Sequence, residues 1–475
     1  MPIAPTFRRE LERIVGADGI VTSTPGLRVY ECDGYTLERA RPEVVVLPRT
    51  TAEVSAVVSV CAREGISFVP RGAGTGVSGG CLPLDIPVMI ATTRMRAIRC
   101  IDLANRRIEV EAGVVNLEVT RRVRDAGLSY APDPSSQAAC TIGGNIAENS
   151  GGPHTLKYGV TVNHVFALEI VLPDGEVLSL DRSAGALGYD LGGVFIGSEG
   201  TFGIVTAATL GLVPNPEHVL TLLALFPGVL EASRAVSSII GAGIVPAALE
   251  MMDALVIQAV ESAYHFGFPS DAGAALIIEV DGLAAGLDDV AARVRGCCKD
   301  EGASEVRQAM NEIERELLWK SRRRAFGAMG RLTRAYCTQD GVVPRSRLPD
   351  IVEVILSVGA RHGLRIANLM HAGDGNIHPL ILYDDRDAAE VRRVITAGNE
   401  ILEACVAMGG SVTGEHGIGV EKIGLMHASF TVDELSAMAD VRDVFNPRGL
   451  CNPNKMFPSS RGCIEVTRPR PRAGG

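Results

Sequence analysis

The chain has few aromatic residues, 4% with a single Trp, and no long uncharged run. Its longest stretch free of Asp, Glu, Lys and Arg, Gly200 to Pro216, has 17 residues and contains Gly and Pro, and the next, Ala235 to Leu249, has 15. A membrane-spanning helix needs ~18 or more apolar residues, so no span is expected. A CxxC pair is also missing. The eleven cysteines (Cys32, Cys61, Cys81, Cys100, Cys140, Cys297, Cys298, Cys337, Cys405, Cys451 and Cys463) show neither zinc-ribbon nor iron–sulfur spacing, and their odd number suits buried thiols of a reducing compartment. The opening residues MPIAPTFRRELERIVG are charged where a secretory leader would be apolar, which predicts a cytoplasmic protein. Positive charge is in deficit: 46 Lys and Arg against 56 Asp and Glu give −10, a field that repels phosphate backbones. Nucleic acid is not an expected partner.

What is abundant is glycine, 53 residues in 475, gathered in clusters rather than spread. The length predicts two or three domains, and 46% hydrophobic with 21% charged residues predicts packed cores. From about 42 to 215, short β-rich runs alternate with helices. EVVVLP (43–48), ISFVP (66–70), VMIAT (88–92) and RIEVEAG (107–113) read as strands, Ala52 to Glu64 as a helix, and ALEIVLPDGEVL (167–178) as a hairpin turning at Asp174-Gly175. After LVPNPEH (212–218) the pattern changes. LTLLALF (220–226) and ALIIEVDG (275–282) read as strands, and helices are expected near 230–242, 285–300, 310–328 and 388–407. The predicted organisation is a helical or irregular segment over 1–41, one domain over 42–215, a second over 216–458, and a mobile tail over 459–475.

Three glycine segments fall inside the first domain. The first, Arg71, Gly72, Ala73, Gly74, Thr75, Gly76, Val77, Ser78, Gly79, Gly80, contains a literal GxGxxG. A Rossmann loop must open a helix whose N-terminus faces the pyrophosphate, but CLPLDIPVMI follows, with Pro83 and Pro87 where that helix would run. The loop instead suits an anion nest of bare amides edged by Arg71. The second, YAPDPSSQAACTIGGNIAENSGG (130–152), and the third, GSEGTFGIV (197–205), add further backbone surface without long side chains, so a large flat polar ligand gripped from several sides is expected.

PRGAGTGVSGG, PDPSSQAACTIGGNIAENSGG, KYGVTVNHV and GSEGTFGIV, in this order over about 42–213, resemble the FAD-binding domain of the vanillyl-alcohol oxidase/p-cresol methylhydroxylase superfamily. The resemblance implies an α+β, two-subdomain FAD-binding domain with the pyrophosphate over Arg71–Gly76. The cofactor-binding set it implies is Arg71, Gly72, Ala73, Gly74, Thr75, Gly76, Ser78, Gly79, Pro132, Asp133, Ser135, Thr141, Gly143, Gly144, Asn145, Asn149, Gly151, Gly152, Tyr158, Gly159, Glu199, Gly200, Gly203 and Ile204. Thr75 stands where some members carry a flavin-linking histidine, so non-covalent FAD is implied.

A second constellation lies downstream. RIANLMHAGDGNIHPLILY (365–383) reads as two strands around Ala372-Gly373-Asp374-Gly375, a fold-back that brings His371 and His378 toward one point. A lone strand histidine is more often structural, so the pair needs a third ligand. GGSVTGEHGIG (409–419) supplies Glu415 beside His416 between glycines, and two imidazoles with one carboxylate leave a metal open to substrate. LWKSRRRAFGAMGR (318–331) is either a solvated basic face or a partly buried one able to grip a carboxylate in bidentate fashion.

These segments, with TQDGVVPRSRLPDI and FNPRGLCNPNKMF, resemble the C-terminal domain of FAD-linked 2-hydroxyacid dehydrogenases, a group that includes D-lactate and D-2-hydroxyglutarate dehydrogenases and the glycolate oxidase flavoprotein subunit, to which the likeness is strongest. By position, the resemblance implies His371, His378 and Glu415 as ligands of a divalent Zn or Mn, His416 as base, Arg322 as carboxylate clamp and Asn376 as a substrate contact. Thr338 replaces a lysine of the 2-hydroxyglutarate enzymes, which disfavours a dicarboxylic substrate. The implied reaction is oxidation of glycolate or D-lactate to the 2-oxo acid with electrons leaving to an external acceptor. Iron–sulfur and second flavin-type partner subunits, and peripheral attachment to the inner membrane through them, belong to the same implication. The alternatives are a stand-alone D-lactate dehydrogenase and a non-catalytic FAD-binding electron-transfer or scaffold subunit.

Overall fold

The computed structural model describes residues 3–182 and 188–458; the predicted tail at 459–475 lies outside the described residues. The N-terminal part is α+β in two sheets. The first has the strand order Ile20–Val21, Val44–Val46, Val88–Ala91, Phe68–Arg71, the last three parallel. Val44, Val45 and Val46 are all buried, as expected of parallel strands covered on both faces. Helix Thr51–Glu64 connects two of them. Its first turn is capped by Thr50 Oγ1, which accepts from Glu53 N–H, and it stops at Gly65 with φ +68°. The second sheet is antiparallel, ordered Ile98–Asp102, Arg107–Glu111, Ile204–Gly211, Val165–Val171, Val177–Asp181, and its last two strands are the expected hairpin at Asp174-Gly175.

The second glycine segment contains a helix. Ile142–Glu148 is a helix capped by Thr141, and Gly143 lies against strand-end Ala112, where an added Cβ would stand 2.8 Å from the alanine Cβ. Here glycine serves close packing of helix on sheet.

The C-terminal part is an antiparallel eight-stranded sheet: Glu305–Gln308, His218–Phe226, Ala274–Gly282, Ala248–Asp253, Arg365–His371, Asn376–Tyr383, Ala335–Thr338, with Gly341–Val342 also on Asn376–Tyr383. Both faces are covered. Leu222, Ala224 and Phe226 face helices Val229–Gly241, Leu287–Asp300, Leu348–His362 and Ala388–Ala407, whereas Leu223 and Leu225 face helices Ala254–Tyr264 and Glu312–Ala328. This two-sided burial is why LTLLALF reads as a continuous apolar run rather than an alternating one. After helix Val432–Phe445 the chain returns to the first domain, where Phe68 N–H donates to Leu450 O and Asn452 N–H to Phe68 O.

Candidate active site

One cavity of about 640 Å³ is walled by both halves of the chain. Arg71, Gly72, Ala73, Gly74, Thr75 and Gly76 come from the first glycine segment, Ser135, Thr141, Gly143, Gly144 and Asn145 from the second, and Glu199, Gly200, Gly203 and Ile204 from the third. Tyr336, Thr338, Glu415 and His416 close it from the C-terminal side. The other expected cofactor residues frame this wall without lining it. Ser78 Oγ donates to the His416 carbonyl at 2.9 Å, Pro132 O accepts from Asn116 Nδ2, Asp133 pairs with His154, and Tyr158 donates to Asp281. Asn149 ends its helix at φ +52° and accepts from Val162 N–H; Gly79 and Gly159 are left-handed; Gly151 and Gly152 pack on Glu415 and Asp133.

The lining suits a phosphate-bearing cofactor. No helix forms between Gly72 and Pro87, so the nicotinamide-type geometry is absent there. Among the described residues nothing accepts from the amides of Ala73 to Gly76. A Cβ at Gly72 would stand 2.5 Å from Thr141 Oγ1, so the two loops approach as bare backbone. Arg71 is held behind the loop, donating to Cys32 O at 3.0 Å and Cys81 Sγ at 3.2 Å. Burial pushes the nearby Asp33 carboxyl up to about 6, against the pull of its hydrogen bond to Tyr35 N–H and of Arg71.

Behind Glu415 on the cavity wall lie His371 and His378, buried and not themselves lining it, and the three present nitrogens and a carboxylate oxygen within 4.8 Å of one another. His371 closes strand Arg365–His371, and its register partner is Asn376 on the next strand, two residues before His378, so the tight turn sets the pair. His371 Nδ1 lies 2.8 Å from Glu250 Oε1, and His378 Nδ1 lies 3.2 Å from Gln339 O. Both contacts place a proton on Nδ1 and turn each Nε2 toward Glu415 Oε1, at 3.2 and 3.4 Å. Against burial, the carboxylates of Glu250 and Glu415 raise His371 well above its ordinary range, so its Nε2 carries a proton that a cation would displace. His378 Nε2 has no hydrogen-bond partner. Such a donor set, with each imidazole oriented from behind, fits a divalent cation.

His416 stacks on His378, ring centroids 4.8 Å apart, and its Nδ1 has no partner. Burial, assisted by the neighbouring His378 and Lys422, pulls this imidazole down to about 4, so it is neutral at pH 7 and able to accept a proton. Asp340 receives the loop that carries it. Its Oδ2 accepts from Thr413 Oγ1 at 2.6 Å, Gly414 N at 3.0 Å and His416 N at 2.9 Å, and Lys422 Nζ stands 3.4 Å away.

Arg322 is buried and does not reach the wall of the large cavity. It edges a separate cavity of about 20 Å³ with His154 and Trp319, while Arg323 lines the large one. Its Nε stands 2.7 Å from Glu250 Oε2, off the axis of a good hydrogen bond, and Nη1 and Nη2 have no partner. Asn376 lies against Gly414 with its Oδ1 buried and unpartnered. Glu250, Asp340 and Lys422 carry no role in the sequence reading. A single Glu inside the apolar run AALEMMD was the available signal, because a buried carboxylate in a strand demands partners.

Residues 42–181 match the family described as FAD binding domain, and residues 215–456 match FAD linked oxidases, C-terminal domain. The chain belongs to the FAD-linked oxidases, and its cofactor is FAD. It is 46% identical to the glycolate oxidase subunit GlcD of Escherichia coli (strain K12), covering 92% of this chain and 88% of the relative, and 31% identical to the D-lactate dehydrogenase of Anaerostipes hadrus, covering 88% and 90%. The 4-ethylphenol oxidase of Gulosibacter chungangensis superposes with TM-score 0.77 at 17% identity over 96% of this chain and 97% of that one, a likeness of fold. No helix of the described residues is long and apolar enough to cross a membrane.

Proposed function

We propose that this chain oxidises a small 2-hydroxy acid, glycolate or D-lactate, to the 2-oxo acid and passes the electrons to an external acceptor. The observation that carries the reading is the meeting of His416 and Glu415 with all three glycine segments on the walls of one cavity. When bound, FAD accepts the hydride from the α-carbon, and a divalent cation supplies Lewis acidity to the α-hydroxyl. His371, His378 and Glu415 would hold the cation, and the bare amides of Ala73 to Gly76 would face the pyrophosphate. Neutral His416 takes the hydroxyl proton. Arg322 is the proposed carboxylate clamp through its unpartnered Nη1 and Nη2, and Asn376 the proposed second polar contact. Because Arg322 lies behind the wall of the large cavity, this role requires its small cavity to join the large one when substrate binds. Thr338 on the cavity wall supplies no cation of its own for a second carboxylate, although Arg323 and Arg334 line the same cavity.

The remaining proposals are coarser. The domain limits are 42–215 and 216–458, supported by family matches at 42–181 and 215–456. Electrons leave to a partner, an iron–sulfur subunit with a second flavin-type subunit, and the protein is cytoplasmic, held to the membrane only through that partner. Anaerobic mixing of the FAD-loaded protein with glycolate, D-lactate, L-lactate, malate and 2-hydroxyglutarate tests the reaction. Bleaching by glycolate or D-lactate is expected, with 2-hydroxyglutarate slow. A flavin that stays yellow with every acid would leave a scaffold role and end the reading.

A further inference from the structure

The loop Thr413 to Gly419 carries both the proposed base and a proposed cation ligand, yet it is neither helix nor strand. Its backbone is held at both ends by buried charged side chains from elements far away in sequence. At one end the Asp340 carboxylate faces the amides of Gly414, Glu415 and His416, at 3.0, 3.3 and 2.9 Å, with the Thr413 hydroxyl at 2.6 Å. At the other end Glu199, from the first domain, accepts from Ile418 N–H through Oε1 and from Gly419 N–H through Oε2, both at 2.6 Å. Between them Lys422 Nζ donates to Gly417 O at 3.0 Å. Glu199 holds a left-handed backbone, φ +51°, and its own carbonyl accepts from Asn452 Nδ2 at 2.7 Å.

We infer that Asp340 and Glu199 are positioning residues that clamp the Thr413–Gly419 loop from the two domains, setting His416 and Glu415 against the flavin cavity at once. The chemistry favours charge over neutral acceptors. A carboxylate facing converging amides makes short, charge-assisted hydrogen bonds about twice as strong as neutral ones, and where Asp340 and Glu199 are buried they restrict the loop closely. Geometry also excludes a longer side chain next to the clamp: a Cβ at Gly417 would meet Glu199 Oε1 at 2.9 Å, and one at Gly414 would collide with Asn376. Because one jaw belongs to the flavin-binding domain and the other to the sheet that bears His378, the loop acts as the gauge between them.

The inference rests on the proposed function for its consequence in turnover, but its primary readout does not. Asp340→Asn puts an amide NH₂ against backbone N–H groups, and Glu199→Gln does the same at the other jaw. Amide hydrogen exchange of the 411–420 peptide in the FAD-loaded protein is compared with that of helix Val229–Gly241. Exchange in the loop should rise at least about tenfold in each variant, the equivalent of one lost hydrogen bond to a charged group, with the helix unchanged. Manganese affinity, read by electron paramagnetic resonance, should fall about 10- to 100-fold, the effect typical of losing support behind a metal ligand. Should Asp340→Asn fail to fold because Lys422 is stranded, Asp340→Asn with Lys422→Met removes both charges, and Glu199→Gln stands independently. Wild-type exchange in the loop of folded variants would overturn the clamp. Faster loop exchange in a protein that bleaches with no hydroxy acid would uphold the clamp while ending the proposed function.

Discussion

His371 Nδ1 stands 2.8 Å from one oxygen of Glu250, and the other oxygen of the same carboxylate stands 2.7 Å from Arg322 Nε. One fully buried anion thus orients an imidazole on one side and neutralises a guanidinium on the other. The charges of Arg322 and His371 hold its carboxyl below the ordinary range although burial pushes the other way. Glu250→Gln should lower manganese affinity about 10- to 100-fold. It should also cost ~3–5 kcal/mol of stability, since Arg322 loses its partner inside the protein. Metal titration and urea unfolding of the FAD-loaded variant measure the two effects separately, and a variant with wild-type values in both would remove Glu250 from the site.

His416 meets the first glycine segment through its main-chain carbonyl, which accepts from Ser78 Oγ, and its imidazole Nδ1 makes no hydrogen bond. His416→Ala should therefore keep its yellow colour and its FAD stoichiometry while flavin reduction by substrate slows about 10²- to 10⁴-fold, the usual share of a general base. Stopped-flow absorbance under anaerobic conditions reads this directly. Reduction at the wild-type rate would assign the proton to another group.

A second buried carboxylate joins the domains. Glu279 accepts from Thr221 Oγ1, Trp319 Nε1 and Arg315, and lies 3.3 Å from Nε2 of His154 in the first domain. The hydrogen bonds of His154 and Arg315 outweigh burial and hold its carboxyl at about 2, against an ordinary 4.5. A depressed carboxyl adds stability that is complete above 4.5 and disappears as pH falls toward about 2; a difference of this size corresponds to ~3 kcal/mol. His154 has the opposite sign. Asp133 and Glu279 raise it well above its ordinary 6.5, so its share is complete below 6.5 and is lost as pH climbs through the raised value. Melting temperature against pH should fall more steeply below pH 4.5 in the native protein than in Glu279→Gln; parallel curves would contradict the assignment.

Gly74 has φ +72°, and a Cβ there would run into the guanidinium of Arg71. Gly74→Ala should strain the loop by ~1–2 kcal/mol and push Arg71 off Cys32 and Cys81. The measurable result is weaker FAD binding, about tenfold or more, with unfolding of the second domain unaffected. Fluorescence titration of apoprotein with FAD reads it.

Local chemistry made much of this legible in the bare chain. Asp174-Gly175 announced a hairpin because Gly175 tolerates φ +97°, Pro83 and Pro87 ruled out the helix of a nicotinamide loop, and the turn between His371 and His378 carried both imidazoles to one side. Each of these is a property of a few consecutive residues and needs no distant partner. Helix Ile142–Glu148 was hidden among small polar residues, because its stability comes from Thr141 at its cap and Ala112 beneath Gly143. Glu250, Asp340 and Lys422 were hidden for the same reason. Whether a lone charge in an apolar segment is a surface residue or a buried hub depends on which strand and loop meet it, and those lie about a hundred residues away. Arg322 shows the limit most clearly: its neighbours along the helix announced a basic run, but only packing against strand Ala248–Asp253 turned it inward onto Glu250 while Arg323 took the cavity wall. Residue order sets turns, periods and donor types; the direction of a buried charge is decided by the three-dimensional arrangement, because its desolvation can be offset only by groups the fold brings from elsewhere.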